Sequence, residues 1–480
     1  VAEVLAVNGE AAGGGVALPP GLLEAIAAEP GGRVVLVIGA GASVEPPMGL
    51  PMARECSEKA HRSLIHDGIL QAGDCSDPSD LSLLADLIYE KEGGEQAELV
   101  KRLPINDFRT VTPNRGCLLA AALLREGALK GVLTLNFDLG MVTALAQIGS
   151  VNDVAVLTGP ADHERMGATN LVYLHRSVDA DYEEWVLRTD VIANGWQEGW
   201  EAAVGGLLIG GPFTVFAGLG SPAGVLIATT KKIKDTLPDE AKFLQVDPAD
   251  SDDSPMREQI GVEEEDYLQL GWGDFMKRLS ARLLARHRDE LYDACRKVIS
   301  REGFDDGDPG HICDRLSELD LIGVGEVRAR WLLERRQRYL PQGNLDVELI
   351  ASLLLAIAII ERRTGTTANF HPDGIVEFVK QGQVQASLLF ASGRGSKGWS
   401  SVEADLSQPA FDRNRRLVEP RYALIAGVGA REVVAPPAKL VGEEDEGGEG
   451  ESIIGDDETL ILRSVDELRA NPELAEEMIA

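Results

Sequence analysis

The chain has 480 residues, 44% of them hydrophobic and 26% charged, which is enough apolar material for packed cores and excludes a disordered protein. Its formal net charge is −32, from 46 basic and 78 acidic residues, and this excludes a protein that coats nucleic acid or an anionic membrane with its whole surface. The charge is uneven, because Glu443–Ala480 alone holds 14 acids against 2 bases. Five cysteines (Cys56, Cys75, Cys117, Cys295, Cys313) are scattered, odd in number and never spaced C-x-x-C, as expected of free thiols in a reducing cytoplasm.

In chain order, residues 1–20 read as a flexible lead and Gly21–Glu29 as a short helix. No basic residue precedes Arg33, so this stretch lacks the charged region of a signal peptide. Val34–Ile38 (VVLVI) is a continuous β-branched run, the pattern of a central strand buried on both faces. Similar strands are expected at Gly131–Leu135, Val154–Leu157, Leu171–Leu174, Phe213–Ala217 and Phe243–Val246, with helices at Leu81–Lys91, Leu118–Glu126 and Trp196–Val204 between them. This alternation predicts an α/β domain over 21–285: a doubly wound, mostly parallel, Rossmann-like sheet. Val204–Thr230 is uncharged but holds seven Gly and two Pro, which reads as loop–strand–loop rather than a membrane helix. Asp247–Asp266 reads as an acidic loop and Tyr267–Ser300 as the helix that closes the domain.

Residues 286–440 read as a mixed domain, helical over 311–363 and strand-rich over 370–435. Leu349–Ile360 is uncharged over 12 residues, too short to span a bilayer, and reads as a core helix. Residues 441–480 comprise the acidic linker GEEDEGGEGE and an amphipathic end, Thr459–Ile479, that would dock as a helix or strand. Two segments run against the overall charge. Lys277–Glu302 holds eight bases against four acids, and Arg328–Arg338 holds five Arg and one Glu. They read as solvated helix faces, or as surfaces for the acidic tail. Leu321-Ile322-Gly323-Val324-Gly325 looks like a helix-hairpin-helix turn, whose amides would meet a nucleic-acid phosphate.

Four polar or glycine-rich segments follow predicted strands. The first is Gly39-Ala40-Gly41-Ala42-Ser43, whose glycines would let backbone approach a phosphate. The dinucleotide fingerprint needs a third Gly where Val44 stands, and the Pro-rich VEPPMGLP that follows cannot open a regular helix. The others are Asn136-Phe137-Asp138 after LTL, His175 after LVYL, and Gly218-Leu219-Gly220-Ser221 after VFA. In an open α/β sheet, ligands bind beyond the carboxyl ends of strands, so these four can converge on one crevice. Singly each has another explanation: Asn136 and Asp138 would also cap a helix, and a lone His is more often a hydrogen-bonded rim residue.

The pieces GAGASVEPPMGLP, LTLNFD, LVYLH, VFAGLGSP and FLQVDP, in this order, resemble the sirtuin-like family over Arg33–Leu284. The resemblance implies NAD as substrate. It implies that Gly39, Ala40, Gly41, Ala42, Ser43 and the loop through Pro51 bind NAD. Asn136 and Asp138 would contact the nicotinamide ribose and His175 would be the catalytic base. Gly218, Ser221 and Asp247 would lie on the adenosine side. Without paired C-x-x-C motifs the structural zinc of deacylating sirtuins is not expected, and the chain looks like the zinc-free NAD hydrolases of bacterial anti-phage defence. The chain departs from the bacterial branch at Arg176, where Gly is usual and a bulkier cation beside the pocket would alter substrate entry or pair with a phosphate. It also has Met52-Ala53-Arg54 where Asp-Phe-Arg follows the loop.

That resemblance implies release of nicotinamide and ADP-ribose, or of a cyclic product, through an oxocarbenium-like transition state. Asp138 would stabilise its charge, Asn136 would hold water or a ribose hydroxyl, and His175 would accept a proton. It also implies control by homo-oligomeric assembly or by a partner such as a HerA-type ATPase or a short Argonaute. The alternatives are a catalytically silent scaffold that binds NAD or ADP-ribose, and a protein deacylase or ADP-ribosyltransferase.

Overall fold

The computed structural model describes residues 16–220, 224–237, 241–251, 254–303, 308–330, 339, 341, 346–370, 375–392, 420–427 and 461–480. The chain divides into two compact units, Val1–Leu283 and Leu284–Ala480.

The first unit runs α1 (Pro20–Ile26), β1 (Val34–Ile38), a 3-10 turn (Ala40–Ser43), α2 (Ala53–His66), α3 (Leu81–Lys91), α4 (Ala97–Val100), α5 (Ile105–Arg109), α6 (Arg115–Arg125) and β2 (Leu129–Thr134). It continues with α7 (Gly140–Gln147), β3 (Ala155–Leu157), β4 (Asn170–Tyr173), α8 (Thr189–Glu198), α9 (Trp200–Leu208), β5 (Phe213–Ala217), α10 (Gly224–Thr236), β6 (Lys242–Asp247), α11 (Pro255–Ile260), β7 (Tyr267–Gln269) and the start of α12 (Trp272–Glu302), whose residues from Leu284 onward belong to the second unit. Its seven strands form one sheet in the order β3-β4-β2-β1-β5-β6-β7. Every pairing is parallel, so the sheet is fully rather than mostly parallel. All five residues of β1 are buried, because helices cover both faces of a parallel sheet. The chain leaves β1 toward β2 and later returns to its other side with β5, which makes the carboxyl end of β1 the switch point where such sheets open a crevice.

Val204–Thr230 departs from the expected loop–strand–loop. It holds the end of α9, β5 and the start of α10. Its glycines serve packing as well as turns: a Cβ on Gly205 would lie 3.0 Å from Trp196, so α9 keeps Gly there to let the buried indole approach. Likewise α11 interrupts the expected acidic loop, started by the Ser254 side chain accepting from Arg257 N–H.

The second unit continues with α13 (Asp308–Glu318), α14 (Leu321–Arg330), α15 (Val347–Thr364), β8 (Thr367–Phe370), β9 (Ile375–Lys380), β10 (Gln383–Ser392), β11 (Tyr422–Ala426), β12 (Ile461–Ser464), α16 (Val465–Ala470) and α17 (Leu474–Ile479). Its sheet has the order β12-β11-β10-β9-β8, with β8, β9 and β10 antiparallel and β10, β11 and β12 parallel. The Leu349–Ile360 run lies within α15, whose Leu353, Leu355, Ala356 and Ile360 are fully enclosed in the unit's core.

The helix-hairpin-helix expectation is overturned. Leu321–Gly325 opens α14, and two of its amides are taken there by Asp320: Gly323 N–H donates to the side-chain Oδ1 (2.9 Å) as a cap, and Val324 N–H to the backbone O (2.9 Å) as the first helical bond. Arg328 does not belong to a solvated basic face, because it is buried and pairs with Glu290 at 2.8 Å. The rest of the basic run, residues 331–338, and the acidic linker 441–460 lie outside the described residues. The terminal segment docks as both strand and helix, on the second unit's own sheet and core.

Candidate functional site

The crevice begins with two backbone segments that crowd each other. Gly39 N–H donates to Ala217 O (3.0 Å) and Gly41 N–H to Gly218 O (2.9 Å), tying the turn after β1 to the end of β5. A Cβ on Gly41 would sit 2.6 Å from Gly218 Cα, and one on Gly218 would sit 2.4 Å from Ala42 N. Gly218 also has φ +65°, the left-handed region that favours glycine. The two glycine-rich segments thus form one interlocked element. Asn114, the N-cap of α6, fastens it from below by donating Nδ2–H to Ala42 O (2.7 Å).

Side chains just past β2 join this floor. Asn136 Nδ2 donates to Gly39 O (3.0 Å) and to Ser43 Oγ (3.1 Å), and Ser43 Oγ–H donates to Asp138 Oδ2 (2.9 Å). The second Asp138 oxygen accepts Gly140 N–H (2.9 Å), and Tyr173 Oη–H donates to Asp138 O (3.1 Å). Asp138 thus takes the first amide of α7, whose N-cap is Leu139, while also lining the crevice. Burial pushes its carboxyl up, against the lowering pull of the Gly140 and Ser43 hydrogen bonds. Tyr173 and Asn114 were not legible as site residues, since a buried Tyr and a capping Asn carry no distinguishing sequence signal.

His175 stands at the end of β4. Its Nε2 is shut away from solvent and has no hydrogen-bond partner among the described residues. Burial, reinforced by the adjacent Arg176 cation, lowers its pKa to about 4, so the ring is neutral at physiological pH. Phe137 lies beside it, with ring centroids 6.5 Å apart, and stacks on Trp185 at 4.4 Å. Arg176 has φ +75° and does not line the cavity. Its guanidinium lies within 3.4 Å of where a Gly159 side chain would begin.

These groups line a cavity of about 580 Å³, within the range of small-molecule sites. Gly39, Ala40, Ser43, Pro51, Asn136, Asp138, His175 and Gly218 all line it, while Gly41 and Ala42 support it from beneath. Asp247 does not: its carboxylate accepts Ala249 N–H (2.9 Å) at the end of β6. Ser221 lies outside the described residues. The remaining wall is largely apolar, from Leu50, Met52, Phe108, Val186, Leu187 and Ile192. The loop that carries Pro51 is pinned by Glu45, whose carboxylate accepts Gly273 N–H (3.0 Å) at the start of α12. All five cysteines are free. Cys56 lines the cavity, with its thiol pushed up to about 11 by burial, so it is no nucleophile near neutral pH. Among the described residues, no group of three or more His, Cys, Asp or Glu is arranged to hold a metal ion, and no helix is long and apolar enough to cross a membrane.

No family model and no curated protein matches the sequence. Among solved structures, the chain is similar to a Sir2 homolog–NAD complex at 17% identity over 57% of this chain and 95% of that one, with a TM-score of 0.33. It is also similar to a Sir2 homologue mutant in complex with 2'-O-acetyl ADP ribose, at 16% identity over 55% of this chain and 96% of that one, with a TM-score of 0.33. A further Sir2 enzyme structure matches at 16% identity over 57% of this chain and all of the other, with a TM-score of 0.32. At this level of likeness, function has to be read from the geometry of the crevice itself.

Proposed function

We propose that the first unit is an NAD hydrolase that releases nicotinamide and ADP-ribose. The observation that carries this reading is the convergence, in one cavity, of an interlocked glycine turn, the Asn136–Ser43–Asp138 relay and a neutral histidine with an unpartnered Nε2. The fit to a dinucleotide rests on the bare backbone that Gly39 and Gly218 present to the cavity, with the two turns packed directly on each other because a Cβ on Gly39, Gly41 or Gly218 would meet protein atoms at 2.4–2.6 Å. Backbone can approach a pyrophosphate closely there.

Bound NAD would supply a nicotinamide that is already cationic, a leaving group needing little acid help. The chain's residues do the rest. Asp138, held by two hydrogen bonds, presents a fixed carboxylate toward developing positive charge. Asn136, whose amide is oriented by Gly39 O and Ser43 Oγ, holds a ribose hydroxyl or the attacking water. His175 Nε2 accepts the proton. The apolar wall limits competing solvent around the reacting carbon. The resemblance of the motifs to zinc-free bacterial defence effectors, with no C-x-x-C pair in the chain, supports a role as a NAD-depleting effector restrained by assembly or a partner.

The test is nicotinamide release from NAD by the purified full chain, with and without a peptide acyl donor. Release without peptide, lost by about 10²–10⁴-fold in His175→Ala, is expected. Equal release by wild type and variant would overturn the assignment, and turnover only with an acylated peptide would replace it with deacylation.

A further inference from the structure

The last strand of the second unit is supplied from far along the chain. Residues 461–480 form β12, α16 and α17. β12 pairs in parallel with β11, in the register Tyr422↔Ile461, Ala423↔Leu462, Leu424↔Arg463 and Ile425↔Ser464. Val465, Leu468, Ala475 and Met478 are buried in the unit's core beside α15. Polar contacts complete the seat: Arg469 pairs with Glu302 at 2.9 Å, and Tyr422 Oη–H donates to Glu477 at 3.3 Å. The segment also caps itself, Ser464 and Glu467 forming a reciprocal capping box. It is a complete small element that binds through its own side chains and backbone.

Between β11 and this element stand residues 428–460, with ten acids against two bases and six glycines. A parallel crossover needs only a dozen or so residues. At roughly 3.3–3.6 Å per residue, a stretch of 33 residues spans at most about 110 Å. The connection therefore does not specify which copy's sheet the element completes. The seat itself cannot stay empty cheaply. Without β12, the fully buried strand Tyr422–Ala426 becomes an open apolar edge.

We propose that residues 461–480 are an exchangeable clasp, and that the seat formed by β11 and α15 takes the same segment from a second copy of this chain. The same contacts form within one chain or between two, so exchange costs only the linker's entropy, and within an assembly a neighbour's seat offers a comparable effective concentration. Copies would then be joined through their sheets. Neither the seat nor the segment involves the crevice of the first unit, so the proposal stands or falls apart from the NAD reading.

The experiment uses full-length chains carrying single substitutions at register partners, Ala423→Cys in one and Leu462→Cys in the other, co-expressed and then oxidised. The expected result is a disulfide-linked dimer on a non-reducing gel, absent when either variant is expressed alone. A chain carrying both cysteines provides the control. If it cross-links within itself while the co-expressed pair gives no dimer, the segment stays in its own chain and the proposal is overturned. If neither cross-links, the β11–β12 pairing is wrong and the proposal falls with it. A second register pair, Leu424→Cys with Arg463→Cys, repeats the measurement should the first disturb folding.

Discussion

The two sheets finish in opposite ways. In the first unit, the ends of β1 and β5 lack side chains where backbones meet, and an added Cβ on Gly39, Gly41 or Gly218 would come within 2.4–2.6 Å of a neighbour. Polar groups just past β2 and β4 occupy the remaining rim, one of them with a buried nitrogen left unpartnered among the described residues. In the second unit, β11 and the stretch Leu388–Ala391 of β10 that pairs with it are equally buried, yet β12, the other neighbour of β11, brings a self-capped, apolar element that fills the core. Both sheets are parallel at the relevant strands. What separates a site from a scaffold here is whether the strand ends leave room and unmatched polarity, or close with apolar surface.

Two substitutions should break that contrast most strongly. Gly218→Ala forces a methyl onto Ala42 N at a φ of +65°, with a cost of about 3 kcal/mol or more. Faster hydrogen–deuterium exchange in β1 and β5, with nicotinamide release abolished, is the expected outcome. Leu468→Ala empties a fully buried position in the second unit and should cost about 2–5 kcal/mol there. Exchange should quicken in β10 and β11 while β1 and β5 stay protected. If each variant loosened both sheets equally, the division into separately stabilised units would be wrong.

A smaller effect is expected at Ser43, which links Asn136 to Asp138. Ser43→Ala removes one hydrogen bond to a carboxylate, worth about 1.5–3 kcal/mol, and should slow nicotinamide release by roughly ten- to a hundredfold with the fold retained. A variant as active as wild type would show that the relay holds nothing the reaction uses.

The first sheet and its crevice were largely legible in the sequence because their physics is local. A β-branched run such as Val34–Ile38 can only be satisfied by burial on both faces, and polar residues directly after such runs fall at one sheet end. Ser43 was legible as part of the glycine turn but not as the link between Asn136 and Asp138, since that contact spans 95 residues. Tyr173 and Asn114 act through one hydrogen bond each to backbone carbonyls, which leaves no pattern along the chain. Gly205 and Gly323 misled because close packing inside a helix selects the same residue as a turn. The place of residues 461–480 could not be read because an amphipathic end carries no mark of the strand that receives it.

The finest test of the contrast is Arg176, which does not line the cavity but acts on it through the charge of His175. Its φ of +75° costs a non-glycine residue on the order of 1–2 kcal/mol, and Arg176→Gly relieves that while adding freedom to the unfolded chain, so the two effects on stability largely offset. The pH dependence does not cancel. Burial is the larger cause and the Arg176 cation the smaller one in holding His175 down to about 4. Between about pH 6.5 and that value, the unfolded chain binds a proton that the folded one refuses, so stability is full above pH 6.5 and falls as the pH drops through this window. The base is active when neutral, so the acid limb of nicotinamide release should lie near the same folded value. Removing the cation leaves burial in place. The limb should therefore move upward from about 4 without reaching 6.5, and the loss of stability on acidification should become shallower. The pH profile of nicotinamide release from pH 4 to 7, with thermal unfolding at the same points, reads both. Superimposable profiles for wild type and Arg176→Gly would mean that the Arg176 cation does not set the charge of the base.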